Sequence, residues 1–443
     1  MRKKLMIAAA IILLLLFCFA GFLQYRQYSS YKIPVHSGAH SIVKINTDAF
    51  LKILVKEYGF DFKRKIINPN RKKKESLGNT GIYLPGNIFI YNISSKDPTT
   101  FFCTLPVYDL EDFKVFAEKN LKIRWGQNAA LSSGTHPDGK ISMACTANFV
   151  SIGWSSKKED VLGTLKDILQ SKNLLSKQNE TVNTLKEQEA PVVIISGNSL
   201  LSFDFSGNEM LLLGSLDSLK NLQTGSIKQR QNKTEAFAFL SFAAKPGASL
   251  FKKKYELKNY QVETDSILKY FGGYADFELG PAITQTDTIT TYEYDDNFEK
   301  IEKQSLTAVM VPDIHFSLMA KPGLLRYLQQ QQIVTTGMKL NKEIFPLYNV
   351  AVNQTAGMLD FTTGIGNKAV PDTFINKVGF LNLKMDVQQT ADVFAIPYLQ
   401  DYIKNIVQIE LTATQKKTVV QLEAIVRFNG SATKALVDIL KSL

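Results

Sequence analysis

Cysteine and histidine are both scarce in this chain, and that removes several chemistries at once. Three cysteines in 443 residues, Cys18, Cys103 and Cys145, are too few for a disulfide-built scaffold or a cysteine-held zinc site. Of the four histidines, His36, His40, His136 and His315, only the first two lie close together, in "PVHSGAH". Their spacing would align two metal ligands on a helix, but Pro34 and Gly38 oppose a helix there, so no metal site is expected. Nucleophile and phosphate motifs are missing too. "GNSLL" (197–201) lacks the second glycine of a nucleophile elbow, and "TTGIGNK" (362–368) has neither the phosphate-loop lysine spacing nor a dinucleotide fingerprint. No cofactor is expected.

One long apolar run opens the chain. Arg2, Lys3 and Lys4 precede Leu5–Leu23, an uncharged stretch closed by Gln24, Tyr25, Arg26 and Tyr28. At about 1.5 Å per residue such a helix spans roughly 28 Å, the thickness of a bilayer core, whereas the apolar part of a cleaved signal is shorter. The expectation is an anchor in the lipid bilayer through residues 5–23. The N-terminus is then cytoplasmic and the bulk of the chain lies outside the inner membrane. Phe17 occupies the position where lipoprotein signals carry a small residue, so Cys18 is expected to face lipid; cleavage after Ala20 is the alternative.

The chain as a whole has 45% hydrophobic, 11% aromatic and 21% charged residues, enough to bury substantial cores beyond this run. Strands are predicted over "IFIYNI" (88–93) and "FFCTLPV" (101–107), followed by a helix over 109–122 with Leu110, Phe113, Phe116 and Ala117 on one face. The order strand, strand, helix returns over 141–172, where Ser156 and Glu159 have capping-box spacing, and again from Val407 to the C-terminus. "PVVIISGNSLLSFDFSGNEMLLLGSL" (191–216) adds strands around two Ser-Gly-Asn turns. Such alternation predicts antiparallel sheets with one buried and one wet face and helices on a single side. The fold expected is α+β: an N-terminal transmembrane helix (1–28), an N-terminal lobe (31–175), a polar linker (176–190) and a C-terminal lobe (191–443). This layout, with its opening strand "HSIVKINTDAFLKILVKEY" (40–58), resembles membrane-anchored envelope proteins of the Bacteroidetes type. The resemblance implies an envelope location and no catalytic residues. Cys103 and Cys145 alternate with apolar neighbours and are expected in cores. An oxidising compartment permits a bridge between them, while their different offsets before the helices favour free thiols.

Charge supplies the one local anomaly. The net charge is +11, and "FKRKIINPNRKKKES" (62–76) gathers Lys63, Arg64, Lys65, Arg71, Lys72, Lys73 and Lys74. An electrostatic contact with anionic lipid or cell-wall polymer is the partner this segment suits, and the absence of interleaved aromatics argues against nucleic acid. Acidic residues cluster once, as Glu293, Asp295, Asp296, Glu299 and Glu302 among Tyr292, Tyr294 and Phe298. Carboxylates beside aromatics suit a hydrolase of wall or surface glycan, although carboxylates adjacent in sequence rarely form a facing pair. The reading is a binding or assembly component acting with other envelope proteins, with the glycan hydrolase as the alternative.

Overall fold

A computed structural model of the chain describes residues 17–18, 20–59, 79–126, 131–217, 222–224, 228–231, 235–246, 254–257, 260–294, 298–355, 357–364, 374–394 and 403–442. The chain divides into two compact units, Met1–Gly207 with Leu436–Leu443, and Asn208–Ala435.

In the first unit the strands are β1 (Ala39–Asn46), β2 (Asn87–Ile93), β3 (Thr100–Pro106), β4 (Arg124–Trp125), β5 (Ser132–Thr135), β6 (Ile141–Cys145), β7 (Phe149–Ser155), β8 (Val192–Ser196) and β9 (Ser199–Ser206). They pair antiparallel throughout in the order β9-β8-β1-β2-β3-β7-β6-β5-β4. The helices are α1 (20–30), α2 (Thr47–Tyr58), α3 (Leu110–Leu121), α4 (Leu162–Leu169) and α5 (Glu180–Glu187). All three predicted repeats are present: β2-β3-α3 and β6-β7-α4 here and, near the C-terminus, strands over Ile406–Lys416 and Val419–Phe428 followed by a helix over Ala432–Ser442. The helices of the first two, however, cover both faces of the sheet. Met143 and Cys145 pack with Phe113 and Ala117 of α3, while Ala144 between them packs with Val161 and with Leu165 and Ile168 of α4. Strand neighbours point to opposite faces, so the consecutive buried residues Met143, Ala144 and Cys145 mark a strand enclosed on both sides. The expectation of helices on one side is corrected accordingly.

Local chemistry sets several boundaries differently from the sequence reading. The stretch 40–58 is strand only to Asn46, whose side chain accepts the Ala49 N–H at 3.0 Å and starts α2. Ser156 and Glu159 form no capping box: Val161 is the N-cap of α4, and Glu159 instead accepts from the Asp97 N–H and the Thr100 hydroxyl. Segment 176–190 carries α5, with Leu185 buried in the core of the first unit, and β8 and β9 belong to that unit as well. The division therefore falls after Gly207.

The expected membrane anchor is also corrected. No helix among the described residues is long and apolar enough to cross a membrane; residues 1–16 and 19 lie outside them. The expected transmembrane helix and single-pass inner-membrane placement are corrected on that finding: no described helix supplies the span. From Gln24 onward the sequence turns polar, and α1 docks through those side chains. Arg26 pairs with Asp48 at 2.9 Å, Gln27 donates to Asn46, Asp48 and the Gly86 carbonyl, and Asn87 donates to Gln27 and Ser30. A Cβ at Gly86 would lie 3.0 Å from the backbone of Arg26 and Gln27, so glycine permits this approach.

The second unit contains β10 (Glu209–Asp217), β11 (Leu222–Thr224), β12 (Lys228–Arg230), β13 (Ala238–Phe242), β14 (Ala244–Pro246), β15 (Lys254–Leu257), β16 (Tyr260–Glu263), α6 (Thr264–Tyr270), β17 (Phe271–Tyr294), β18 (Lys300–Ala320), α7 (Leu324–Gln330), β19 (Ala351–Thr355), β20 (Met358–Thr362), β21 (Phe374–Asn376), β22 (Leu381–Asp386), α8 (Val387–Phe394), β23 (Ile406–Lys416) and β24 (Val419–Phe428). Its main sheet runs β10-β24-β23-β22-β13-β17-β18-β20-β19, again antiparallel. Beyond Leu279 and His315, β17 and β18 pair with each other alone among the described residues and form a long ribbon. Two-stranded sheets β11-β14, β12-β21 and β15-β16 complete the unit.

Candidate functional site

The centre of the second unit is a sheet whose two faces carry opposite chemistry. β18 reads Ile314-His315-Phe316-Ser317-Leu318, and strand alternation sends Ile314, Phe316 and Leu318 to one side and His315 and Ser317 to the other. On the apolar side Phe361 of β20 stands opposite Phe316, ring centroids 5.9 Å apart. Leu324 and Leu328 of α7 and Ile267 of α6 close the space from above, and Leu340, Phe345 and Val350 supply the remaining wall. The result is a pocket of about 420 Å³. Gly323 allows α7 to begin here: its φ is +108°, and a Cβ would sit 2.8 Å from the Tyr270 ring of α6. The single hydroxyl in the lining, Thr363 Oγ1, donates to the Pro312 carbonyl at 2.6 Å and accepts the Ile314 N–H at 2.8 Å. No other lining side chain carries a donor, an acceptor or a titratable group. Such a lining is compatible with hydrocarbon and offers no side chain that moves a proton or attacks a bond.

The opposite face is buried and charged. Arg230 of β12 donates through Nε and Nη2 to Asp276 at 2.9 and 2.5 Å, and Nη2 lies 3.7 Å from Glu278. Arg230, Asp276 and Glu278 are each about 2% exposed. Burial by itself would lower the Arg230 pKa, but the hydrogen bonds and charge of Asp276, with Glu278 behind it, raise it above the ordinary value. Ser317 Oγ donates to Asp360, and His315 Nε2 lies 2.8 Å from the same Oγ. Burial works to raise Asp360, yet the bonds from His315 and Ser317 bring it below the usual carboxylate range. Serine, histidine and aspartate stand together here without forming a catalytic relay. The serine proton goes to the aspartate, so the histidine must donate to the serine, whereas a general base accepts from it. Ser317 is also fully buried.

The residues singled out in the sequence lie elsewhere. Lys63, Arg64, Lys65, Arg71, Lys72, Lys73 and Lys74 fall outside the described residues, as do Asp295 and Asp296. Glu293 and Glu302 occupy the exposed end of the β17–β18 ribbon, where Glu293 pairs with Lys303 at 3.0 Å. His36 Nδ1 accepts the Gly38 N–H, and no group of three or more metal-ligating side chains occurs among the described residues. Cys103 and Cys145 are free thiols, each pushed up to about 12 by burial. The sequence reading passed over Lys44, which is 1% exposed on β1 and donates to the carbonyls of Leu185, at 2.8 Å, and Gln188. A lysine between Ile42, Val43 and Ile45 was the available signal.

No family model matches the sequence, and no curated protein matches it. Among solved structures, crystal form IV of TP0453 aligns at 9% identity with a TM-score of 0.27, over 41% of this chain and 78% of that one. Crystal form III aligns at 10% identity with a TM-score of 0.23, over 74% and 91%. Superpositions that loose carry no argument about this chain.

Proposed function

We infer that this protein is a binding component and not a catalyst, and that its second unit takes an apolar ligand of the acyl-chain class. The observation that supports this is the pocket of about 420 Å³, walled by hydrocarbon and with its one hydroxyl already hydrogen-bonded at both ends. Ligand sites of small molecules span about 300–1,000 Å³, so the volume suits a chain of moderate length. Each methylene taken from water contributes about 0.8 kcal/mol, and ten of them give roughly 8 kcal/mol before the cost of association. A polar metabolite would lose its hydration here and gain no hydrogen bond in return. The basic residues at 63–65 and 71–74 fit the same reading as a contact for an anionic surface. Salt-sensitive binding to anionic vesicles that a glutamine variant loses tests that contact. For the pocket, the probe is cis-parinaric acid, a linear fatty acid that fluoresces when shielded from water. Titration into the full chain is expected to saturate at one molecule per chain, and a linear, unsaturable rise would count against the assignment.

A further inference from the structure

Three of the pocket's lining residues, Leu340, Phe345 and Val350, belong to one loop rather than to the sheet or helices. The Leu340 N–H donates to the Val350 carbonyl at 2.9 Å, which pinches residues 341–349 into a closed loop. Within it, the Ile344 and Phe345 N–H groups both donate to the Asn341 carbonyl, so the loop holds its own shape. Isolated bridges between Val334 and Leu340 and between Lys339 and Ala351 hold its base, and the Asn341 N–H donates to the Ile333 carbonyl at 2.9 Å. Beyond Asn341, its bonds to the neighbouring elements run through side chains, and several of them converge on the base of the ribbon.

Gln285 of β17 is the principal one. Its Oε1 accepts the Asn349 N–H at 3.0 Å, and its Nε2 donates to the Asn349 carbonyl at 2.7 Å and to the Thr363 carbonyl at 2.6 Å. The amide is 4% exposed and imitates a strand partner, joining the loop to the pocket's own lining at Thr363. Lys342 pairs with Asp287, two residues further along β17, at 2.9 Å, and Glu343 accepts from the Tyr260 hydroxyl at 2.5 Å. Both of these lie at the solvent edge. An arrangement of a few side-chain bonds around a self-contained loop opens locally at far lower cost than the sheet beneath it.

We propose that residues 341–349 form a strap that gates the pocket, and that Gln285 and the Lys342–Asp287 pair are its latch. This rests on the reading of the pocket as an acyl-chain site. The sheet and the two helices are fixed walls, so a chain that fills the space enters and leaves when the strap lifts and withdraws Phe345. Gln285 is then a positioning residue: it touches no ligand and acts through the strap.

Stopped-flow binding of cis-parinaric acid to the full chain tests this with the wild type, Gln285→Ala and Lys342→Met. The latch predicts that association and dissociation rates rise together, by tenfold or more for Gln285→Ala and about threefold for Lys342→Met, while Kd changes less than either rate. Lys342 is partly exposed, so its variant keeps the test open should Gln285→Ala fold poorly. Hydrogen exchange at the Ile344, Phe345 and Asn349 amides is expected to quicken in both variants at an unchanged rate for β18. Saturable binding with wild-type rates in both variants overturns the gate alone, as do strap amides that exchange only with global unfolding. No saturable fluorescence with any of the three proteins overturns the pocket reading on which the gate rests.

Discussion

The two faces of the β17–β18–β20 sheet are built from alternating residues of the same strands, yet burial does different work on each. Phe316 and Leu318 look into a space that the fold leaves unfilled, while His315 and Ser317 look into one filled by Arg230, Asp276, Glu278 and Asp360. On the charged face every ion needs a partner, because an isolated charge out of water is strongly disfavoured. On the apolar face nothing is required of the contents except hydrocarbon. The first face is therefore rigid and intolerant of change; the second tolerates vacancy, and a tolerated vacancy is what a ligand site needs.

That difference can be broken most sharply at Arg230. Arg230→Met removes the buried guanidinium that Asp276 and Glu278 share, and the second unit should lose about 3–5 kcal/mol in denaturant unfolding. Ser317→Ala removes the bridge between His315 and Asp360 and should cost about 1–3 kcal/mol by the same measurement. Across the sheet, Phe316→Ala should cost only about 1–2 kcal/mol, below the roughly 3–5 of a fully packed phenylalanine, because the ring already borders open space and is 36% exposed. If Phe316→Ala proved as damaging as Arg230→Met, the two faces would not differ as described.

Lys44 of the first unit sharpens the comparison from outside, as a second buried cation with a different solution. Arg230 meets carboxylates and its pKa rises; Lys44 meets main-chain carbonyls, and burial lowers it from 10.5 to about 8, opposed only in part by Glu189. Between pH 8 and 10.5 the unfolded chain keeps a proton that the folded chain has released. The unfolded state binds more protons in that window, so stability contributed at this site increases as pH rises through it. Lys44→Met should abolish that slope, read as the denaturation midpoint of variant and wild type between pH 8 and 10; parallel slopes would refute it. The smallest effect is expected at the ribbon's end, where Glu293→Gln breaks an exposed pair with Lys303 and should leave the midpoint where it was.

Much of the strand pattern was legible because alternation is local. β2, β3, β6, β7, β23 and β24 follow directly from their apolar spacing, and the Ser-Gly-Asn turn at 196–198 gives the hairpin of β8 and β9, with Gly197 at φ +55°. The identity of each face was not legible. Asp276, Glu278, His315 and Ser317 alternate with apolar residues and read as a wet face. What covers them is Arg230, brought in by the pairing of β12 with β21, which lie far apart in the chain. The pocket was equally hidden, since Ile314, Phe316 and Leu318 announce an apolar face and say nothing of whether α7 and the 341–349 loop fill it. At the N-terminus hydropathy gave the Leu5–Leu23 run the length of a span, which no helix among the described residues has, and length carries no information on where Arg26 and Gln27 dock. The basic segment stood out by charge alone, and charge without placement names no partner.

The central claim is that the second unit holds an acyl chain in this pocket, and the most direct test is to fill the pocket from within. Leu328→Trp adds a large side chain on α7 toward the space beside Phe316 and Phe361. Titration of cis-parinaric acid, run beside a denaturation curve showing that the variant is folded, should give one saturable site in the wild type and at least a tenfold weaker one in Leu328→Trp. Equal affinity in both proteins, or no saturable binding by the wild type, would contradict the account.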